Sequence, residues 1–231
     1  LGDAWSAGTV QGSPLVADTL VFGFEHPMSE TRIEAGHAQL FVKRVLPLRA
    51  NVAANYSTVG GVGVAGQLRR TFLAYIERER AHPYRPFLHY NSWYDIGYFT
   101  PYTQDDATRQ IGIYAEKLTR QRGVKLDSFL FDDGWDDHDH LWKFNAGFPD
   151  GFSGVAKAAE AAGAEPGVWL SPWGGYGPPR AQRLATAKAQ GYEVDDQGLA
   201  LSGPKYYALF HRATLDLLTK YRINQFKLDG T

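Results

Sequence analysis

The chain has 231 residues, a formal net charge of −1 and 44% hydrophobic residues, enough for one large domain or for a small domain and part of a larger one. Near-neutral charge removes the electrostatic case for nucleic acid or an anionic membrane as partner, so a neutral substrate is the first expectation. With 0 Cys, disulfides, thiolate nucleophiles and zinc–sulfur sites are excluded, and no apolar run is long enough to span a membrane.

The first residues, Leu1-Gly2-Asp3, include no Met and no basic and apolar leader, and the last follow directly on an expected strand, so a fragment is expected. The compartment stays open, with a lean towards a secreted or periplasmic one. Residues 1–65 hold short β-branched and apolar runs broken by Gly, Pro and Asn. Residues 15–24 and 39–48 are the clearest expected strands, and the region reads as the end of an antiparallel β-sandwich. Residues 66–86 read as a linker helix over 67–81, with Leu68, Phe72, Tyr75 and Ile76 on one face and Pro83 and Pro86 closing it.

From residue 87 strand and helix signals alternate. Strands are expected at 87–93, 128–132, 167–170 and 225–229, and helices at 103–122, 152–162, 179–190 and 206–220. Thr103 and Asp106 form a capping box at the start of the first helix. Such alternation predicts a parallel α/β sheet. Trp93, Asp132, Asp133, Trp169 and Asp229 all fall at C-terminal strand ends, which favours the first four units of a (β/α)8 barrel over a doubly wound sheet.

Several motifs carry chemistry. In Phe226-Lys227-Leu228-Asp229-Gly230, period-two alternation puts Lys227 and Asp229 on one face, where the ammonium favours an ionised carboxylate suited to nucleophilic attack. An ordinary ion pair or a turn aspartate before Gly is the plainer account of that segment in isolation. In Phe131-Asp132-Asp133-Gly134-Trp135, two adjacent acids follow an apolar strand. Sugar hydroxyls could donate to both, and a solvated acidic turn is the alternative. Asp136-Asp137-His138-Asp139-His140 lacks metal-ligand spacing and reads as a solvated polar loop, so no metal and no cofactor is expected. Gly61-Val62-Gly63-Val64-Ala65-Gly66 matches G-x-G-x-x-G, but no acid closes the next strand, and linker glycines are preferred to a dinucleotide site. Trp93 and Trp169 suit either a sugar platform or a core. The aromatic content of 14%, with 6 Trp and 13 Tyr, is compatible with both.

Together these segments resemble glycoside hydrolase families 36 and 27, the α-galactosidase and α-N-acetylgalactosaminidase clan. The similarity rests on Tyr90-Asn91-Ser92-Trp93, Phe131-Asp132-Asp133-Gly134-Trp135, Phe148-Pro149-Asp150-Gly151, Gly167-Val168-Trp169 and Lys227-Leu228-Asp229, in that order over residues 66–231. The resemblance implies a retaining hydrolase of terminal α-galactosyl or α-N-acetylgalactosaminyl residues. It implies Asp229 as nucleophile, with Asp132, Asp133, Trp93, Trp135, Trp169 and Lys227 binding an oligosaccharide or glycoconjugate. The acid/base of that clan comes from a sixth strand, and no acid of this chain is assigned the role. Ser171-Pro172-Trp173-Gly174-Gly175-Tyr176 departs from the clan's Glu-Pro after the third-strand Trp, as does Gly230 after the nucleophile. An α-galactosyl transglycosylase of the raffinose-synthase kind and a non-catalytic sugar-binding protein remain as alternatives, a nucleotide-dependent oxidoreductase is a weaker one, and self-association stays open.

Overall fold

The computed structural model describes residues 8–11, 15–17, 19–24, 26, 29–35, 37–42, 57–97 and 100–229. The chain divides into two compact units, Leu1–Arg85 and Pro86–Thr231.

The first unit contains β1 (Gly8–Gln11), β2 (Leu15–Ala17), β3 (Leu20–Phe24), β4 (Ser29–Glu34), β5 (His37–Val42), β6 (Thr58–Val62) and the helix α1 (Leu68–Glu79). They form two three-stranded antiparallel sheets, ordered β1-β4-β5 and β2-β3-β6. The stretch expected as one strand over 15–24 is a hairpin, because the chain turns at Thr19 between β2 and β3. Of the strand expected over 39–48, residues 43–48 lie outside the described residues. The expected α1 face is half-buried at Leu68, Phe72, Tyr75 and Ile76, and the helix lies against β2, β3 and β6. The linker reading of residues 61–66 needs correcting at its start, since Gly61 and Val62 belong to β6 and of these residues only 63–66 lead on to α1. Gly60 and Gly61 pair with Phe22 and Val21 inside β6. Backbone pairing needs no side chain, and a Cβ at Gly63 would overlap the Thr71 side chain, so these glycines serve a strand and its close approach to α1.

The second unit contains β7 (His89–Asn91), α2 (Gln104–Tyr114) continuing as a π-helical stretch over Ala115–Arg120, β8 (Ser128–Phe131), β9 (Asp136–Asp137), β10 (Lys143–Phe144), α3 (Ser153–Ala161), β11 (Glu165–Leu170), α4 (Gly177–Ala189), α5 (Pro204–Tyr221) and β12 (Gln225–Leu228). β7, β8, β11 and β12 form one parallel sheet whose strands lie side by side in chain order, without the reversal that marks a doubly wound sheet. The fold is thus mixed α/β, with a parallel sheet and antiparallel strands. The Thr103–Asp106 capping box opens α2 as expected, with the Thr103 hydroxyl accepting from the Asp106 amide at 3.2 Å and the Asp106 carboxylate from the Thr103 amide at 3.1 Å.

Alternation sorts the sheet. Tyr90, Phe129, Phe131 and Val168 lie on the side covered by α2 and α3, where Tyr90 meets Tyr114 and Phe131 meets Phe152. The opposite side receives Leu130, Trp169 and Lys227. Beyond β8 the chain turns at Gly134, whose φ of +122° and contact with the Thr100 carbonyl exclude a side chain. No helix among the described residues is long and apolar enough to cross a membrane.

Candidate active site

The register of the parallel sheet brings the charged residues together. Phe131 pairs with Val168, and Trp169 with Lys227, so one residue past β8 the side chain of Asp132 falls in the same row as Trp169 and Lys227. Asp229 lies two positions beyond Lys227, hence on the same side, and its amide continues the ladder to the Leu170 carbonyl at 3.0 Å. The backbone of Asp132 is held from two directions: its amide donates to Ser92 Oγ at 2.8 Å, and the Tyr102 hydroxyl donates to its carbonyl at 2.6 Å.

The Lys227 ammonium sits between two carboxylates, 2.9 Å from Asp132 Oδ2 and 3.2 Å from Asp229 Oδ2. It also lies 5.9 Å from the centre of the Trp93 ring. Trp169 Nε1 donates to Asp229 Oδ2 at 3.3 Å, and the Tyr176 hydroxyl donates to Asp229 Oδ1 at 3.1 Å. Asp132 and Asp229 are therefore within two hydrogen-bond lengths of each other, as a shared sugar ligand requires. Asp132 is buried, while Lys227 and Asp229 keep about a third of their side-chain surface in solvent, so the cluster is open to a ligand.

Burial alone would lower the pKa of Lys227. The hydrogen bond and charge of Asp132, then those of Asp229, outweigh it and hold the ammonium above the ordinary lysine value. A raised folded-state pKa means the stabilisation is complete below the unfolded value and is lost as pH rises through the folded one. Lys227→Gln is therefore expected to lower the free energy of unfolding at neutral pH, with the deficit shrinking above about 10.4, the ordinary lysine value. Urea melts at neutral and alkaline pH measure it, and a deficit independent of pH would refute the charge pairing.

Asp133 goes elsewhere. Adjacent residues at a strand end point to opposite sides, and Asp133 Oδ1 accepts from Arg183 Nη2 at 2.6 Å. Arg183, on α4, is fully buried and also forks onto Asp136, with Nε at 2.9 Å and Nη2 at 2.7 Å. Its guanidinium lies over two indoles that touch each other, 5.1 Å from Trp142 and 5.2 Å from Trp169. Trp142 adopts φ of +59°, a costly conformation for a bulky residue, in the middle of this cluster. Burial raises the Asp133 pKa, opposed by the charge and hydrogen bond of Arg183. The Arg183 pKa is raised in turn, burial being outweighed first by Asp136 and then by Asp133.

The solvated-loop reading of residues 136–140 therefore needs correcting. Asp136 is buried because Arg183 neutralises it, and Asp136–Asp137 forms a small antiparallel ladder with Lys143–Phe144, while Asp139 and His140 are exposed. Asp133, Asp136 and His138 present ligand atoms within 4.8 Å of one another. The guanidinium already among them opposes a cation there.

Trp135 is completely buried. Its ring packs on Phe144 and Phe152, and its Nε1 donates to the Trp169 carbonyl at 3.0 Å. The arrangement thus brings Asp132, Lys227, Asp229, Trp93 and Trp169 to one place and leaves Asp133 and Trp135 in the layer beside it. Trp169 links the two, stacking on Arg183 and donating to Asp229. The sequence marks Tyr176 only as part of the departure over residues 171–176 and gives Arg183 no role. The available signal for Arg183 is its place four residues before Ala187, on the same face of an amphipathic helix.

No protein-family model matches the chain, and no match is found among curated proteins. Among solved structures, it is similar to an α-galactosidase from Thermus thermophilus in complex with p-nitrophenyl α-D-galactopyranoside, with a TM-score of 0.53 and 19% identity over 91% of this chain and 42% of that one. The same enzyme in complex with stachyose gives 0.54 and 18% identity over 91% and 44%. A cycloalternan-forming enzyme from Listeria monocytogenes in complex with a pentasaccharide substrate gives 0.50 and 12% identity over 92% and 23%. The chain spans less than half the length of each of these proteins. The likeness establishes a glycoside-hydrolase-like fold.

Proposed function

We propose that the chain belongs to a retaining glycoside hydrolase that releases terminal α-galactosyl or α-N-acetylgalactosaminyl residues through a glycosyl ester on Asp229. The observation that carries this reading is the single ammonium of Lys227 shared by Asp132 and Asp229, with the Trp169 indole on the same oxygen of Asp229. A side-by-side sheet in chain order, with the cluster at its C-terminal edge, supports residues 87–231 as the first four units of a (β/α)8 barrel. Residues 1–65 then fit the end of a β-sandwich and residues 66–86 a linker helix. The likeness to an α-galactosidase holding an aryl α-galactoside supports the sugar and its anomer.

In this mechanism Asp132 accepts hydrogen bonds from sugar hydroxyls, and Trp93 offers its ring to the apolar sugar face. Lys227 and Trp169 fix Asp229 Oδ2, leaving the carboxylate oriented for attack on the anomeric carbon. Asp133 and Trp135 support the sugar site from behind, Asp133 by anchoring the end of β8 to Arg183 and Trp135 by holding the Trp169 carbonyl. No cofactor or metal is invoked.

A panel of aryl α- and β-glycosides offered to the full-length protein tests the reading. Release from α-galactoside or α-N-acetylgalactosaminide and none from the β-anomers is expected. Sugar binding without turnover would assign a non-catalytic carbohydrate-binding role instead.

A further inference from the structure

The loop that departs from the clan pattern, Ser171 to Tyr176, is built to deliver one hydroxyl. Gly174 and Gly175 have φ of +104° and +84°, a left-handed pair that only glycines adopt cheaply. A Cβ on Gly175 would come within 2.9 Å of both Arg183 Nη1 and the Trp169 ring, so the loop lies directly on the buried cluster. It is fastened there twice: Gly175 N donates to Ser171 Oγ at 2.7 Å, and Arg183 Nη1 donates to the Gly174 carbonyl at 3.0 Å. Tyr176 follows as the residue preceding α4, and its hydroxyl reaches Asp229 Oδ1 at 3.1 Å.

The two oxygens of Asp229 are thereby distinguished. Oδ2 takes Lys227 and Trp169, two groups rooted in the sheet, one of them fully buried. Oδ1 meets a hydroxyl on a side chain that is 48% exposed and can turn aside. We propose that Oδ1 is the attacking oxygen, and that Tyr176 is a further catalytic residue whose hydroxyl stabilises Oδ1 each time the sugar leaves it, with Arg183 positioning the loop. This rests on the hydrolase reading above and deepens it.

The steps balance. Oδ1 forms a bond to the anomeric carbon as the bond to the aglycone oxygen breaks, and a 4-nitrophenyl aglycone departs as its anion without needing a proton. Water then attacks the same carbon and passes its proton to a carboxylate base, the group that the clan resemblance implies on a sixth strand and to which no residue of this chain is assigned. The bond to Oδ1 breaks, and the electron pair returns to the carboxylate. Negative charge is absent from Oδ1 in the ester and reappears in the second step, so a donor there favours deglycosylation over glycosylation.

Tyr176→Phe in full-length protein, assayed with 4-nitrophenyl α-galactoside, separates this role from a structural one. Loss of a hydrogen bond to a charged group is expected to lower kcat about 10- to 100-fold. KM should fall in parallel and kcat/KM hold nearly constant, because the glycosyl ester accumulates when its breakdown slows. Mass spectrometry of acid-quenched enzyme should show more of that ester in the variant than in the parent. A fall in kcat with unchanged or higher KM, or parental kinetics, would overturn the role of Tyr176 while leaving Asp229 in place. A parent protein that neither turns over the substrate nor carries an ester would overturn the hydrolase reading and the Tyr176 role together.

Discussion

Asp229→Asn is expected to reduce release of 4-nitrophenol from an α-galactoside by about a thousandfold or more, while leaving the melting temperature nearly unchanged. The substitution keeps size and shape. The amide oxygen can still accept from Trp169 and Lys227, and its NH2 can donate to the Tyr176 hydroxyl, which accepts as well as donates. What it removes is the negative charge that forms the ester. Asp229→Ala adds a second readout, because the vacated space admits a small anion. Azide should restore turnover of an activated α-galactoside and yield the β-galactosyl azide, the product of attack from the side Asp229 occupied. Near-parental activity in Asp229→Asn would remove this carboxylate from the chemistry.

Arg183→Met is expected to destabilise the second unit by about 3–5 kcal/mol, the usual cost of breaking a buried charge pair by deleting one partner. Met keeps much of the packing against Trp142 and Trp169 but leaves Asp133 and Asp136 buried without their cation. The direction with pH follows from the linkage. The folded-state pKa of Asp133 is already raised by burial, so its contribution is present below the unfolded carboxylate value and lost as pH rises through the folded one. Without Arg183 the opposition to that shift disappears. The deficit relative to the parent should be largest at neutral pH and shrink towards acid, as the stranded Asp133 carboxylate takes up a proton. Arg183→Lys should recover only part of the loss, since one ammonium cannot reproduce the fork onto Asp136 together with the bond to Asp133. Urea melts followed by tryptophan fluorescence measure both variants, and a pH-independent loss of under about 1 kcal/mol in Arg183→Met would contradict the pairing.

Legibility in the sequence followed the range of the interactions involved. Helices from residue 104 onwards were readable because their caps and apolar stripes are local, as where Thr103 and Asp106 sit three apart, although the last was expected from residue 206 and starts at Pro204. The Lys227–Asp229 pair was readable because period two is a property of a single strand. The same rule applied to Asp132 and Asp133 would have separated them, yet their adjacency in the chain suggested a shared ligand. Asp136 looked solvated because its partner Arg183 is 47 residues away, and nothing local announces that a helix arginine is buried. The Tyr176 contact spans 53 residues and depends on two positive-φ glycines in a loop, so it became visible only with the loop's path. Trp135 and Trp169 could not be told apart as core or site by type. Both are buried, and what distinguishes them is the Nε1 partner: Asp229 Oδ2 for Trp169 and the Trp169 carbonyl for Trp135.

The most direct test is to trap the ester. Full-length protein is incubated with a 5-fluoro-α-galactosyl fluoride, whose ring fluorine slows both steps while the good leaving group lets the first proceed without acid assistance, then digested with pepsin and analysed by mass spectrometry. A fluorogalactosyl adduct on the peptide containing Asp229, absent from Asp229→Asn, is the expected result. An adduct on another carboxylate, such as Asp132 or Asp133, or turnover with no adduct on Asp229, would contradict its assignment as the nucleophile.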